Sequence, residues 1–160
     1  MSNVKRIVGF IWASPLTVFA LCYVLLFQLI SYYDYQGVHG DAFVWRVNTG
    51  NSPVWLNSLW KSWGGHAVGN VVVLRNDLLD SRTQVTLRHE QEHVRQCMIL
   101  GVFQPILYGL SWLSIKLACK NSDPYYSNVF ELDARRAAGQ IVDVEGVAKK
   151  LALAQNKRPI

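Results

Sequence analysis

His89, Glu90 and His93 stand in the order His-Glu-x-x-His, and on a helix residues four apart lie one above the other on one face. Two imidazoles in that register can reach a single ion, and a nitrogen-rich donor set with a carboxylate beside it suits zinc. Glu90 is placed to take a proton from a metal-bound water whose pKa zinc brings toward neutrality. The chemistry these residues imply is hydrolysis. A hydrolytic zinc needs a third protein ligand, and the candidate is Glu131, in Ser127-Asn128-Val129-Phe130-Glu131-Leu132-Asp133. Its plainer reading is an acidic residue favoured near a helix N-terminus. Asp133 competes for the role, but two positions on it faces another way, which leaves it as an outer partner to a ligand histidine. Cys97 continues the spacing of four, yet it would lie about 12 Å from His89 along the helix axis, too far to share the ion, and is read as structural. An oxyanion donor is also required, and His66, Tyr125 and Tyr126 are the candidates.

These residues need elements to bring them together. Val71, Val72, Val73 and Leu74 form a β-branched run that reads as a strand ending at Asn76-Asp77. Ser81 or Thr83 offers an N-cap, and Val85 to about Leu100 reads as the helix that carries the two histidines. A second helix over about Val129 to Gly139 carries Glu131. Residues 34 to 65, rich in glycine and tryptophan, read as turns and short elements. Lys149 to Arg158 reads as a basic, solvated tail.

Ile7 to Ile30 carries no charge and is long enough to cover a hydrocarbon core of about 30 Å. Lys5 and Arg6 precede it, and Tyr32, Tyr33 and Tyr35 follow at what would be the far interface. A cleavable signal peptide would have a shorter apolar region ending in small residues, whereas this one runs into Leu-Ile-Ser-Tyr-Tyr. The reading is an uncleaved anchor over residues 1–33, with a kink at Pro15, followed by one domain over 34–160. The two basic residues favour a cytoplasmic N-terminus and leave the side of the domain open. Met98 to Ala118 is also apolar, but His89, His93 and Glu131 must lie on one side of a bilayer. A single crossing between them is excluded, so residues 98–118 read as a core hairpin or as an interfacial or re-entrant segment.

Sixteen Lys and Arg against eleven Asp and Glu give a net charge of +5, with the basic residues scattered along the chain. No basic stripe interleaved with aromatics points to nucleic acid; the partners expected are the lipid bilayer and a peptide or protein substrate. The three cysteines, Cys22, Cys97 and Cys119, have neither metal-knuckle spacing nor an even number, and are read as free thiols.

Four segments in order, Gly69-Asn70-Val71-Val72-Val73, Arg88 to Gln96, Leu100-Gly101-Val102-Phe103-Gln104-Pro105 and Asp123 to Glu131, resemble a family of small bacterial His-Glu-x-x-His proteins of the gluzincin metallopeptidase type. The resemblance spans roughly residues 66 to 139. It implies His89 and His93 as ligands, Glu90 as base and Glu131 as third ligand, with Asn128-Val129-Phe130-Glu131 standing where the family has Asn-Pro-Phe-Glu. The fold class expected is α+β: a mainly helical zincin-like domain with a short edge sheet, preceded by one transmembrane helix. In such enzymes the strand before the helix offers an edge to an extended peptide. The leading function is a membrane-anchored zinc peptidase. The alternatives are a membrane-associated structural or interaction protein on the same scaffold, and a zinc hydrolase of a non-peptide amide.

Overall fold

Asn3–Leu29 forms one unbroken helix, α1, in a computed structural model that describes residues 3–48, 50, 58, 60, 63–75, 80–118 and 122–142. Pro15 lies inside it and removes the N–H that would have bonded the carbonyl of Ile11, but the Ser14 hydroxyl donates to that carbonyl at 2.7 Å. The buried positions, Gly9, Ala13, Thr17, Ala20 and Val24, recur every three or four residues and form a single stripe of mostly small side chains. The remaining faces leave large apolar groups exposed, Ile11, Phe19 and Leu26 among them. Among the described residues α1 is the one helix long and apolar enough by itself to cross a membrane, a property a signal sequence shares.

The helix is nevertheless more than a tether. A Cβ on Gly9 would come within 3.0 Å of Met98, so the two backbones meet closely there. Further along, Asn70 donates its backbone N–H to the Thr17 hydroxyl at 3.0 Å, and that hydroxyl also lies 3.0 Å from the Asn70 side-chain oxygen. Ala20 and Val24 join a core with Tyr32, Tyr33, Trp45, Val71 and Val73. The expected boundary near residue 33 therefore separates nothing structurally: α1 is a layer of the domain.

Four strands make one sheet in the order β1-β2-β4-β3, with β1 Tyr33–His39, β2 Ala42–Val47, β3 Gly65–Val68 and β4 Val71–Leu74. β1 and β2 form a hairpin closed by Gly40-Asp41, with Gly40 at φ 64°; β2 runs parallel to β4, and β3 antiparallel to it. Val71–Leu74 is thus a strand, as its residues predict, but an inner one buried along its whole length. The edge near the histidines is β3, within and just after the region read only as turns and short elements. Alternation sends Val71 and Val73 toward the C-terminal half of α1, and Val72 and Leu74 into the opposite core with Leu87, Val94, Cys97 and Met98.

That second core is the seat of α2, Ser81–Leu100. Its N-cap is Asp80 rather than Ser81 or Thr83: the carboxylate accepts from Arg82 N at 3.0 Å. The helix stops at Gly101, which has φ 58° and packs so closely on Trp12 that a Cβ would fall 2.6 Å from the indole nitrogen. The chain then bends by 112° into α3, Phe103–Ala118, none of whose residues is buried. Of the alternatives for residues 98–118, the core hairpin is not adopted. The last helix described, α4, is Val129–Ala137, and Asn128 caps it by accepting from Phe130 N at 3.2 Å. The fold is α+β, with four helices and one four-stranded sheet among the described residues. Cys119, Asn76-Asp77 and the basic tail lie outside the described residues.

Candidate metal centre

The buried face of α2 presents His89, Glu90 and His93, each less than a tenth exposed, and α4 brings Glu131 against them. The Glu131 oxygens lie 3.2 Å from His89 Nε2 and 3.4 Å from His93 Nε2, and one ligand atom from each residue falls within 4.8 Å of the others. Donors about 2.1 Å from a tetrahedral zinc would stand about 3.4 Å apart, so the spacing suits such an ion.

The donor chemistry agrees with the spacing. His93 Nδ1 is 2.9 Å from Gln96 Oε1, and Gln96 Nε2 donates to the carbonyl of Phe130 at 3.0 Å, which fixes which end of that amide faces the ring. His93 Nδ1 therefore carries the hydrogen and Nε2 presents a lone pair. His89 Nδ1 lies 3.0 Å from Gln140 Oε1. Two lone pairs and a carboxylate converging in a buried space repel one another unless a cation or added protons lie between them. Glu131 Oε2 is buried and has no hydrogen-bond partner, although His89 is near, so one oxygen of the carboxylate remains open for a ligand bond.

Burial alone would raise the Glu131 pKa, but His89 and His93 outweigh it and hold the carboxyl below its usual range. For His93, burial acts downward, and Glu131 and Glu90 reverse it to a net rise. Glu90 goes the other way from Glu131: burial pushes it up to about 7 despite both histidines. Two neighbouring carboxyls thus divide into a permanent anion and a group that can exchange a proton near neutral pH. Gly65 on β3 makes room for Glu90, since a Cβ there would lie 3.2 Å from Glu90 Cγ.

Tyr108, in the first half of α3, donates its hydroxyl to Glu131 Oε1 at 2.9 Å. Sequence reasoning overlooked it, although it is a hydroxyl-bearing ring in a largely aliphatic stretch that has to return to the ligands. Gln96 was discoverable from its spacing of three after His93; Gln140 follows the end of α4 and carries no such signal. Asp133 does not back a histidine. It is exposed and pairs with Arg136 at 3.0 Å, because the face of α4 that meets the site belongs to Glu131 and Ala134. The outer partners are the two glutamines.

These groups open onto a cavity of about 730 Å³ bordered by β3, α3 and α4. Tyr125 and Tyr126 line it, and Tyr125, its ionisation suppressed by burial and by Glu131, stands beside the Glu131 carboxylate. His66 also borders it, but its ring turns to the α1 side of the sheet, 2.6 Å from the Tyr23 hydroxyl and 5.3 Å from the centre of the Trp60 ring. The strand's alternation puts Gly65, not His66, against Glu90, so His66 is poorly placed as an oxyanion donor. Burial lowers its pKa to about 4 and keeps it neutral. Cys97 is buried with its thiol pushed up to about 11, in keeping with a structural role. Compared with known protein families, with characterised proteins and with solved structures, the chain matches none of them.

Proposed function

We propose that the chain is a membrane-associated zinc-dependent peptidase. The observation that carries this reading is the convergence of two buried histidines, each with a glutamine at its Nδ1, and a buried carboxylate oxygen without a partner, beside a second carboxyl whose pKa is raised to about 7. His89, His93 and Glu131 would hold the ion. When bound, zinc would supply Lewis acidity to a scissile carbonyl and to a water. Glu90 accepts the proton released in the attack and returns it to the leaving nitrogen, tasks for which a pKa near the working pH is suited. The outer edge of β3 runs beside Glu90, where an extended peptide can add as a further strand, and Tyr125 is the donor placed to meet developing charge on the carbonyl oxygen. On this reading the scaffold is of the zincin type that the resemblance implies.

The membrane part of the reading rests on one continuous apolar surface. Trp12 of α1 and Phe103 of α3 meet with ring centroids 6.4 Å apart, so the exposed apolar side of α1 passes into that of α3, where Ile106, Leu110, Leu113 and Leu117 are open. Lys116 lies over the Trp112 ring at 4.6 Å, a pairing at home among headgroups. Because α3 also supplies Tyr108 to the cavity wall, seating that face in lipid brings the cavity to the membrane surface.

Metal analysis of the full chain in detergent tests the reading. The expected result is about one zinc per chain, lost in His93→Ala. Glu90→Gln should keep the metal and lose peptide hydrolysis. A chain that binds no metal would overturn the proposal.

A further inference from the structure

Arg135 lies one turn beyond Glu131 on α4, on the same face, and lines the cavity. Among the described cavity-lining residues it is the single Lys or Arg. Its guanidinium sits 4.3 Å from the centre of the Tyr126 ring and 5.5 Å from that of Tyr125, which holds the planar group in place. Its Nε is buried and has no acceptor among the described residues. The neighbouring cations are engaged: Arg136 with Asp133 at 3.0 Å, and Arg95 with Glu92 at 2.8 Å. Arg135 is therefore a permanent charge, already oriented, with a buried donor that nothing in the described protein satisfies.

We infer that Arg135 anchors a carboxylate of the substrate, so that the peptide cleaved carries a carboxylate close to its scissile bond. This rests on the peptidase reading. One helical turn separates Arg135 from the ligand Glu131, about 6 Å, and an extended peptide advances about 3.3 Å per residue. The carboxylate then lies within a few residues of the bond that breaks. A C-terminal carboxylate and an Asp or Glu side chain share this chemistry, and both suit the bidentate fork of a guanidinium. The first would make the enzyme a trimmer of chain ends; the second would make it selective for acidic positions.

The test uses the full-length, zinc-loaded chain in detergent and three peptide hydroxamates on a common backbone: one ending in alanine with a free carboxylate, one in alanine amide, one in glutamate amide. Dissociation constants are measured by calorimetry for the wild type, Arg135→Lys and Arg135→Met, with zinc content checked for each. The expected result is that the free acid, the glutamate amide or both bind the wild type at least tenfold more tightly than alanine amide. Arg135→Met should lose that preference while keeping its zinc and its affinity for alanine amide, and Arg135→Lys should keep part of it. Which probe is favoured identifies the source of the carboxylate. Equal binding of all three to the wild type, or a preference that survives in Arg135→Met, would overturn the inference and leave the peptidase reading standing. If no hydroxamate binds, the peptidase reading falls and the inference with it.

Discussion

Replacing Gln96 by leucine should weaken zinc binding without touching a ligand. Gln96 is 6% exposed and makes two bonds, accepting from His93 Nδ1 at 2.9 Å and donating to the Phe130 carbonyl at 3.0 Å. One amide thus ties the histidine on α2 to the first turn of α4, which carries Glu131. Leucine fills nearly the same space and makes neither bond, leaving a buried N–H and a buried carbonyl unsatisfied at about 1–3 kcal/mol each. Part of that cost falls on folding, and part on the freedom the His93 ring gains to turn its Nε2 away from the site. The second part is what metal binding reports, and loss of such an outer partner is worth roughly 10–100-fold in affinity. Gln140→Leu removes a single bond, to His89, and should fall at the lower end of that range. Zinc affinity is read by competition with a chromophoric chelator at fixed pH, alongside thermal unfolding of the metal-free protein. If Gln96→Leu binds zinc within about twofold of wild type, the amide does not orient the ligand and the tautomer argument is wrong.

Gly65→Ala places a Cβ 3.0 Å from Leu74 and 3.2 Å from Glu90 Cγ, so hydrolysis should fall at least about tenfold with zinc retained. Unchanged turnover would show that Glu90 has room to spare. Gly69→Ala combines φ 58° with a Cβ 2.4 Å from the backbone of Thr17, and should cost about 2–4 kcal/mol in chemical denaturation by pushing α1 off the sheet. A smaller change would mean that α1 is only loosely attached. The folded pKa of His66, about 4, lies below its unfolded value of 6.5, so its contribution is present above pH 6.5 and is lost as pH falls through 4. Up to about 3 kcal/mol of acid destabilisation should therefore be absent in His66→Gln, and melting curves that fall in parallel for both proteins would contradict it. In vesicles, with Cys22 and Cys119 replaced by serine, a nitroxide at Leu110 should collide with dissolved oxygen more than with an aqueous nickel complex. The opposite ranking would remove α3 from the membrane surface.

The histidine pair was legible in the sequence because helical spacing is a local rule, and Glu131 was a candidate because it is an acidic residue on a second readable helix downstream. Residues four apart share a face wherever the helix is placed. The apolar character of α1 was legible for a similar reason, since an uncharged run of that length needs no partner to be recognised. Other features depended on contacts between distant segments. The strand at Val71–Leu74 was visible from its β-branched residues, but whether it lay at an edge depended on β3, whose Gly-His-Ala-Val has no strand signature of its own. Asp133 and Gln140 show the same limit. Which polar group backs a histidine is decided by where α4 docks, and docking gave the inner face to Glu131 and carried Gln140 to His89.

By itself the sequence determined the chemistry available to this protein: two imidazoles, a glutamate between them and a distant carboxylate in an order that can hold a metal ion, on a chain with a long apolar helix. Only the tertiary structure decided how these are used. It made α1 a layer of the core along the stripe from Gly9 to Val24, aimed both imidazole Nε2 atoms at one carboxylate through two glutamines, and left Arg135 oriented in the cavity without an acceptor. The physical reason is range. Spacing along a helix and the hydrophobicity of a run are properties of neighbours in the chain, whereas pairing, burial and the pKa values that follow from burial arise when remote segments exclude water together.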